Sequence, residues 1–214
     1  MKEKQISYYA QRAHEYEKVY HKAERQEDLR KLELLLPQWV ETKSVLEIGC
    51  GTGYWTQFMS QTANSILASD VNEAMLEIAR SKSYPKIPEF IALDYEQIDG
   101  LEGQYDIIFA GFVVSHIRRE NLSNFLAKLS RRLKRGGEII FMDNAFVEGS
   151  NTPISETDKH GNTFQERNLE DGSKHKVLKN FYEAADWKRE LKNPIDFAKI
   201  GLTYFYLLRI KNQA

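Results

Sequence analysis

The apolar pattern of this chain changes period near residue 44. Before that point, Leu29, Leu32, Leu35 and Leu36 recur at helical steps and form a stripe that closes before Pro37. Tyr8, Tyr9, Arg12, Tyr16 and Tyr20 precede the stripe at near-helical intervals, so residues 1–41 are predicted to be helical. From Ser44 onward, short apolar runs bounded by turn residues alternate with helical patterns. Residues 45–48, 65–70, 90–93 and 105–110 predict strands, and residues 133–143 predict a helix end, a glycine stop at Gly136-Gly137 and a fifth strand. This β-α-β order implies a parallel sheet with right-handed crossovers. Residues 144–181 interrupt the alternation. After them, residues 183–192 suit a last helix, and residues 195–199 and 203–210 suit two strands joined at Gly201. The pattern fits one domain: a helical lid over 1–41, a core over 44–143, an insertion over 144–181, and a last helix with closing strands over 182–214.

The segment Val45-Leu46-Glu47-Ile48-Gly49-Cys50-Gly51-Thr52-Gly53-Tyr54-Trp55-Thr56 joins a buried strand directly to a glycine-rich turn and a helix start. Glycines there let the backbone approach a ligand that a Cβ would push away. A dinucleotide fingerprint needs G-x-G-x-x-G, but here the spacing is G-x-G-x-G, and Tyr54 stands where that third glycine belongs. A carboxylate at Glu47 repels a pyrophosphate and can face, directly or through water, the ammonium end of an amino-acid-bearing cofactor. That chemistry points to S-adenosylmethionine. A ligand-free strand-to-helix turn is the alternative. Asp70 closes the second strand, where an open α/β sheet binds ligands and a carboxylate can accept from both ribose hydroxyls. Asp70 could instead cap the next helix, a role for which Asn72 competes.

The motif resembles the first motif of the class I S-adenosylmethionine-dependent methyltransferases, and the order and spacing of the five strands are similar over residues 44–143. The resemblance implies an α/β fold with a Rossmann-like doubly wound, seven-stranded sheet, mostly parallel with an antiparallel C-terminal strand at residues 204–210. It also implies that Gly49, Gly51 and Gly53 wrap the methionine part, that Asp70 holds the ribose, that Met75 packs near the adenine and that Asp94 reads its amino group. Trp55, Val71, Tyr95 and Ala110 complete the implied cofactor contacts. Met75 serves equally well as ordinary core, and Asp94 as a solvated turn acid. The N-terminal helices would form a lid over the cofactor, with Tyr9, Arg12 and Tyr16 on one face, where a phenol such as Tyr16 and a guanidinium could meet a cofactor carboxylate or a substrate oxygen; a solvated amphipathic helix explains those residues as well.

His116 follows the fourth strand, where such enzymes meet donor and acceptor, and it is the candidate general base because imidazole titrates near neutral pH. It could instead only pack and hydrogen-bond. The motifs used there for nucleobase or protein amines are lacking, which favours a small-molecule acceptor. Further on, residues 164–181 read as a hairpin turning at Asp171-Gly172. A two-residue loop would pair Arg167 with Lys176. A three-residue loop over 170–172, with Gly172 left-handed, would pair Arg167 with His175 and put Arg167, His175 and Lys179 on one face. Such a cluster can clamp an oxyanion, with arginine giving fork geometry and lysine a point charge. The R-x-L-x-D-G run with a strand ending in Lys-x-Phe is similar to a subgroup of small-molecule O-methyltransferases that includes phosphonate methyltransferases; in it Arg167 and Lys179 match anion-holding positions. Tyr20 is a further candidate substrate contact, although the residues around Tyr20 and His21 depart from the subgroup.

Thirty basic and 31 acidic residues nearly cancel, so nothing in the charge recruits a polyanion and nucleic acid is not an expected partner. No stretch approaches the roughly 18 apolar residues of a membrane span, and the N-terminus lacks an apolar signal core. One cysteine excludes an internal disulfide and suits a cytoplasmic protein, monomer or homodimer. The scattered histidines show no metal-ligand spacing, so no metal is expected. The expected activity is methyl transfer from S-adenosylmethionine to an oxygen of a small anionic acceptor such as a phosphonate or carboxylate. The alternatives are an N- or C-methyltransferase of another small metabolite, or a non-catalytic cofactor-binding protein; a nicotinamide oxidoreductase is disfavoured by the glycine spacing.

Overall fold

The computed structural model describes residues 2–191 and 197–211. The chain opens with α1 (Lys2–Gln11), continues through a 3-10 segment (Ala13–His21) and enters α2 (Gln26–Val40), whose stripe of Leu29, Leu32, Leu36 and Val40 is buried. The helix runs through Pro37 rather than stopping before it. Five strands follow: β1 (Ser44–Ile48), β2 (Ser65–Asp70), β3 (Glu89–Ala92), β4 (Tyr105–Gly111) and β5 (Leu133–Asn144). Helices α3 (Tyr54–Met59), α4 (Glu73–Arg80) and α5 (Leu122–Ser130) supply crossovers. The expected helix end at Leu133 is corrected, because α5 stops at Ser130 and Leu133 already pairs with Tyr105.

A single seven-stranded sheet takes the order β3-β2-β1-β4-β5-β10-β9, where β9 is Phe197–Gly201 and β10 is Phe205–Lys211. Strands β1 to β5 are parallel and β10 is antiparallel to both its neighbours. The last helix, α6, covers Ala184–Glu190 behind a Glu183–Asp186 capping box. The expected helix end at Lys192 and strand start at Ile195 lie outside the described residues.

Successive strand residues feed opposite faces, and the cores follow that alternation. On one face, Ile107, Phe109, Ile140 and Leu207 pack with Leu32, Leu36 and Met59 of α2 and α3. On the other, Ile108, Ala110, Ile139 and Leu208 pack with Phe125 and Leu129 of α5 and Trp187 of α6. The sheet is therefore covered on both sides, and the strand C-termini of β1, β2 and β4 remain for ligands.

The insertion forms its own three-stranded sheet, β6 (Glu156–Thr157), β7 (Thr163–Asn168) and β8 (Lys174–Leu178). Arg167 pairs with His175, and Leu169 N–H donates to the Ser173 carbonyl. The loop thus spans three residues, and Gly172 takes φ 82°, a left-handed conformation that glycine adopts without a Cβ penalty. The register is the one that brings Arg167 and Lys179 to the same side.

Candidate active site

Two cavities meet above the C-terminal ends of the strands. The first, about 390 Å³, is lined by Gly49, Gly51, Asp70, Val71, Met75, Leu93, Asp94 and Tyr95, and by Gly111, Val113 and Ile117. The second, about 410 Å³, is lined by Arg12, Tyr20, Lys22, Arg25, Gln165, Arg167 and Lys179 among others. Tyr9, Tyr16, Phe112 and His116 line both.

The first cavity begins at the glycine loop. Gly49 has φ 68°, and a Cβ there would stand 2.5 Å from Val113 Cγ2, so only glycine leaves the wall in place. Asp70 closes β2 with Oδ2 accepting from Gly51 N at 2.9 Å and Oδ1 from Asn72 N at 2.8 Å. Burial outweighs these bonds and raises its carboxyl above the ordinary range. Asp94 follows β3 and accepts from Glu96 N at 2.9 Å. Two carboxylates on adjacent strand ends, in a cavity that Met75, Leu93 and Val113 also line, offer a polar site for a diol and an apolar wall for a flat ring. The donor set fits an adenosine-bearing cofactor.

Several residues expected at this cavity stand elsewhere. Glu47 is 2% exposed and accepts from Thr56 Oγ1 at 2.7 Å, on the inner side of the loop. Burial, followed by the opposing Thr56 bond and the Asp70 charge, raises it to about 8. Glu47, expected to face a ligand ammonium directly or through water, is turned by β1 into the protein and does not line the cleft. Gly53 packs toward Tyr84 and Ala79. Trp55 is buried and donates to Tyr20 Oη at 3.1 Å. Ala110 points into the core beside α5, and Gly111 takes its place in the lining. Cys50 is buried, and burial raises its thiol well above the ordinary range, a packed residue rather than a nucleophile.

At the junction, His116 Nδ1 lies 2.6 Å from the Leu178 carbonyl, which can only accept, so Nδ1 carries the proton. Nε2 is then an acceptor, and the Tyr9 hydroxyl donates to it at 2.9 Å. Tyr9 in turn accepts from Arg167 Nη1 at 3.2 Å. Burial, then the charges of Lys179 and Arg167, lower the imidazole to about 3. The ring is neutral and both nitrogens are engaged, an arrangement that positions Tyr9 and makes a poor proton acceptor. The general-base expectation for His116 finds no support in this geometry. Phe112 completes the junction with φ 59°, an uncommon conformation for a bulky residue, held by its N–H on the Met142 carbonyl at 2.6 Å.

In the second cavity Lys179 is 96% excluded from solvent but is not a free cation. Its Nζ donates to Asp143 Oδ1 at 2.9 Å and to Ser115 Oγ at 2.7 Å. Burial lowers the ammonium; burial also acts most strongly on Asp143, but the Lys179 charge and hydrogen bond, with His116 and the Asn144 N–H, together outweigh it and hold the carboxylate below its ordinary range. Arg167 is braced by Gln165 Oε1 at 2.6 and 3.1 Å. Tyr20 stacks on Tyr54 at 4.0 Å between ring centroids. Arg12, Lys22 and Arg25 add charge, against Glu166, which pairs outward with Lys174. Asp143, Arg25 and Lys22 escape sequence reasoning: Asp143 looks like a strand end, and Arg25 sits in a charge-rich run, Lys22 to Asp28, with no pattern to single it out.

Residues 45–137 match a family described as a methyltransferase domain. Malonyl-[acyl-carrier protein] O-methyltransferase of Hamiltonella defensa is 30% identical over 135 residues, 63% of this chain and 50% of its own length. Over its strand-and-helix core the chain is therefore similar to methyltransferase domains. Phosphoethanolamine N-methyltransferase of Triticum aestivum is 29% identical over 121 residues, 55% of this chain and 24% of its own. The chain spans half or less of the length of these curated relatives. In fold, it resembles the DhpI–SAM–HEP complex with a TM-score of 0.80 at 23% identity, over 98% of this chain and 97% of that one. The DhpI–SAH complex gives 0.78 at 24% identity over 97% and 95%. Among the described residues no group of His, Cys, Asp and Glu is arranged to hold a metal ion, and no helix is long and apolar enough to cross a membrane.

Proposed function

We propose that this methyltransferase acts on an oxygen of a small anionic acceptor, a phosphonate or a carboxylate. One observation carries the reading: the cavity that opens onto the adenosine-type cleft through Tyr9, Tyr16, Phe112 and His116 is lined by Arg12, Lys22, Arg25, Arg167 and Lys179. A net positive, partly desolvated cavity selects anions. The similarity to malonyl-[acyl-carrier protein] O-methyltransferase supports an oxygen acceptor, and the fold is shared with DhpI, solved with SAM and HEP.

When bound, S-adenosylmethionine supplies a methyl group on a positively charged sulfur. Gly49, Gly51, Asp70 and Asp94 hold the cofactor, and the apolar side chains that line the same cavity seat its ring. Arg167 holds the acceptor anion, with Tyr9 fixing the guanidinium from behind. The attacking oxygen of a phosphonate or carboxylate anion is already deprotonated, so its methylation releases no proton and no residue needs to take one. The aromatic junction excludes water and aligns acceptor with donor, which accounts for catalysis by positioning.

The test is S-adenosylhomocysteine release with alkylphosphonates and matched carboxylates, phenols and amines. Turnover with the anions and not with the amines is expected. Turnover confined to phenols or amines would overturn the reading.

A further inference from the structure

We infer that the acceptor carries a second anionic group, held by Arg25 and Lys22 at a station apart from Arg167 and Lys179; this rests on the anionic-acceptor reading above. Arg25 is 94% excluded from solvent yet lines the second cavity. Among the described residues no carboxylate lies within ion-pair distance of it. Its neighbour Glu24 instead accepts from Ser150 Oγ at 2.8 Å. The guanidinium donates only to neutral oxygens: Nε and Nη2 to Ser150 Oγ at 3.1 and 3.0 Å, and Nη2 to the Ser150 carbonyl at 3.0 Å. Nη1 makes no hydrogen bond among the described residues. Lys22, exposed and just upstream, donates to the same carbonyl. Glu24 acts on the guanidinium only from beyond Ser150 Oγ, and a buried guanidinium without a direct counter-ion is costly unless an anion completes it.

The aromatic floor separates the two stations. Lys179 Nζ lies 6.0 Å from the Phe112 ring, Phe112 and Phe205 are 5.7 Å apart between centroids, and Arg25 Cζ lies 5.7 Å from the Phe205 ring. Cations at both ends of one aromatic pair match a short chain bearing two acidic groups. The end beside Tyr9 and His116 adjoins the cofactor cleft, so the group at Arg167 is methylated and the group at Arg25 anchors.

The probes are ethylphosphonate, with one acidic group, and 3-phosphonopropanoate, with two, titrated calorimetrically into the full chain with S-adenosylhomocysteine present. The parent is expected to bind the two-acid probe at least about tenfold more tightly, as befits one charge-assisted contact. Arg25→Gln should erase that gap and leave ethylphosphonate affinity within about twofold. Arg167→Gln should weaken both probes. Lys22→Gln, at an exposed site that tolerates change, should narrow the gap severalfold and serves if Arg25→Gln does not fold. Ser150→Ala should keep the gap, since it removes only the Oγ contacts and spares the carbonyl contacts and the charge. Equal parent affinity for the two probes, or equal weakening of both by Arg25→Gln, would overturn the second station alone and leave Arg25 a staple for the loop at Ser150. Failure of the parent to bind either probe would overturn the anionic-acceptor reading as well.

Discussion

The Tyr9 hydroxyl donates to His116 Nε2 at 2.9 Å while His116 Nδ1 is spent on the Leu178 carbonyl at 2.6 Å, so the imidazole at the cavity junction has no nitrogen left for a substrate proton. General-base catalysis contributes about 10²–10⁴ in rate. His116→Gln is therefore expected to keep kcat within about tenfold, and the pH profile of kcat should show no limb near 6.5. The folded imidazole sits at about 3 against 6.5 unfolded. The unfolded chain alone takes up a proton between these values, so this stabilising contribution is complete above pH 6.5 and is lost as pH falls toward 3. The slope reaches about 1.4 kcal/mol per pH unit. His116→Gln should flatten that acid limb in denaturant titrations. A hundredfold loss of kcat with disappearance of a limb near 6.5 would restore the base role.

Lys179 and Asp143 form a buried pair, 5% and 1% exposed, tied to the turn that carries His116 through Ser115. Removing one partner leaves a buried charge without its counter-ion, at a cost of about 3–5 kcal/mol. Asp143→Asn and Lys179→Met should each lower the denaturation midpoint sharply. The double change Asp143→Leu with Lys179→Met should recover most of that stability while acceptor binding stays weak. A single-variant cost below about 1 kcal/mol would mean that water reaches the pair.

The fold was legible because the change from helical to strand spacing at residue 44 is a local property, and each β-α step repeats it. The hairpin register was legible as a choice between two loops, and the pairing of Arg167 with His175, with Gly172 but not Asp171 left-handed, decides it. Which way a side chain faces at a strand end is not local. Glu47 and Asp70 both look like ligand-facing acids in sequence, but β1 sends Glu47 to Thr56 in the interior while Asp70 reaches the cleft. Lys179 reads as a free cation because its partner, Asp143, comes from another strand. Arg25 was hidden among ordinary surface charges, and only the approach of Phe205 and Ser150 from distant segments buries it.

Gly49 is the point where the cofactor loop tolerates least. A side chain there meets φ 68° and Val113 Cγ2 at 2.5 Å. The left-handed conformation alone costs about 1–2 kcal/mol for an L-residue. Gly49→Ala should weaken S-adenosylhomocysteine binding by at least about tenfold. Adding Val113→Ala removes the contact but not the backbone cost, so it should restore only part of the affinity. Full restoration would assign the whole effect to crowding.

Glu47 provides a test with the opposite sign to His116. Its folded carboxyl sits at about 8 against 4.5 unfolded, chiefly because it is buried. Between those values the folded chain holds a proton that the unfolded chain has released, so this contribution is complete below pH 4.5 and is lost as pH rises toward 8. From 4.5 to 6.5 the two groups oppose and their slopes largely cancel; above 6.5 Glu47 acts alone. Glu47→Gln should thus match the parent near pH 4.5 and exceed it in stability at pH 8, by denaturant titration at both values. Because the side chain faces Thr56 rather than the cleft, the same variant should change S-adenosylhomocysteine affinity by less than about threefold. A larger loss of affinity, with proton release on cofactor binding that the variant lacks, would instead put a charged Glu47 against the cofactor's ammonium group.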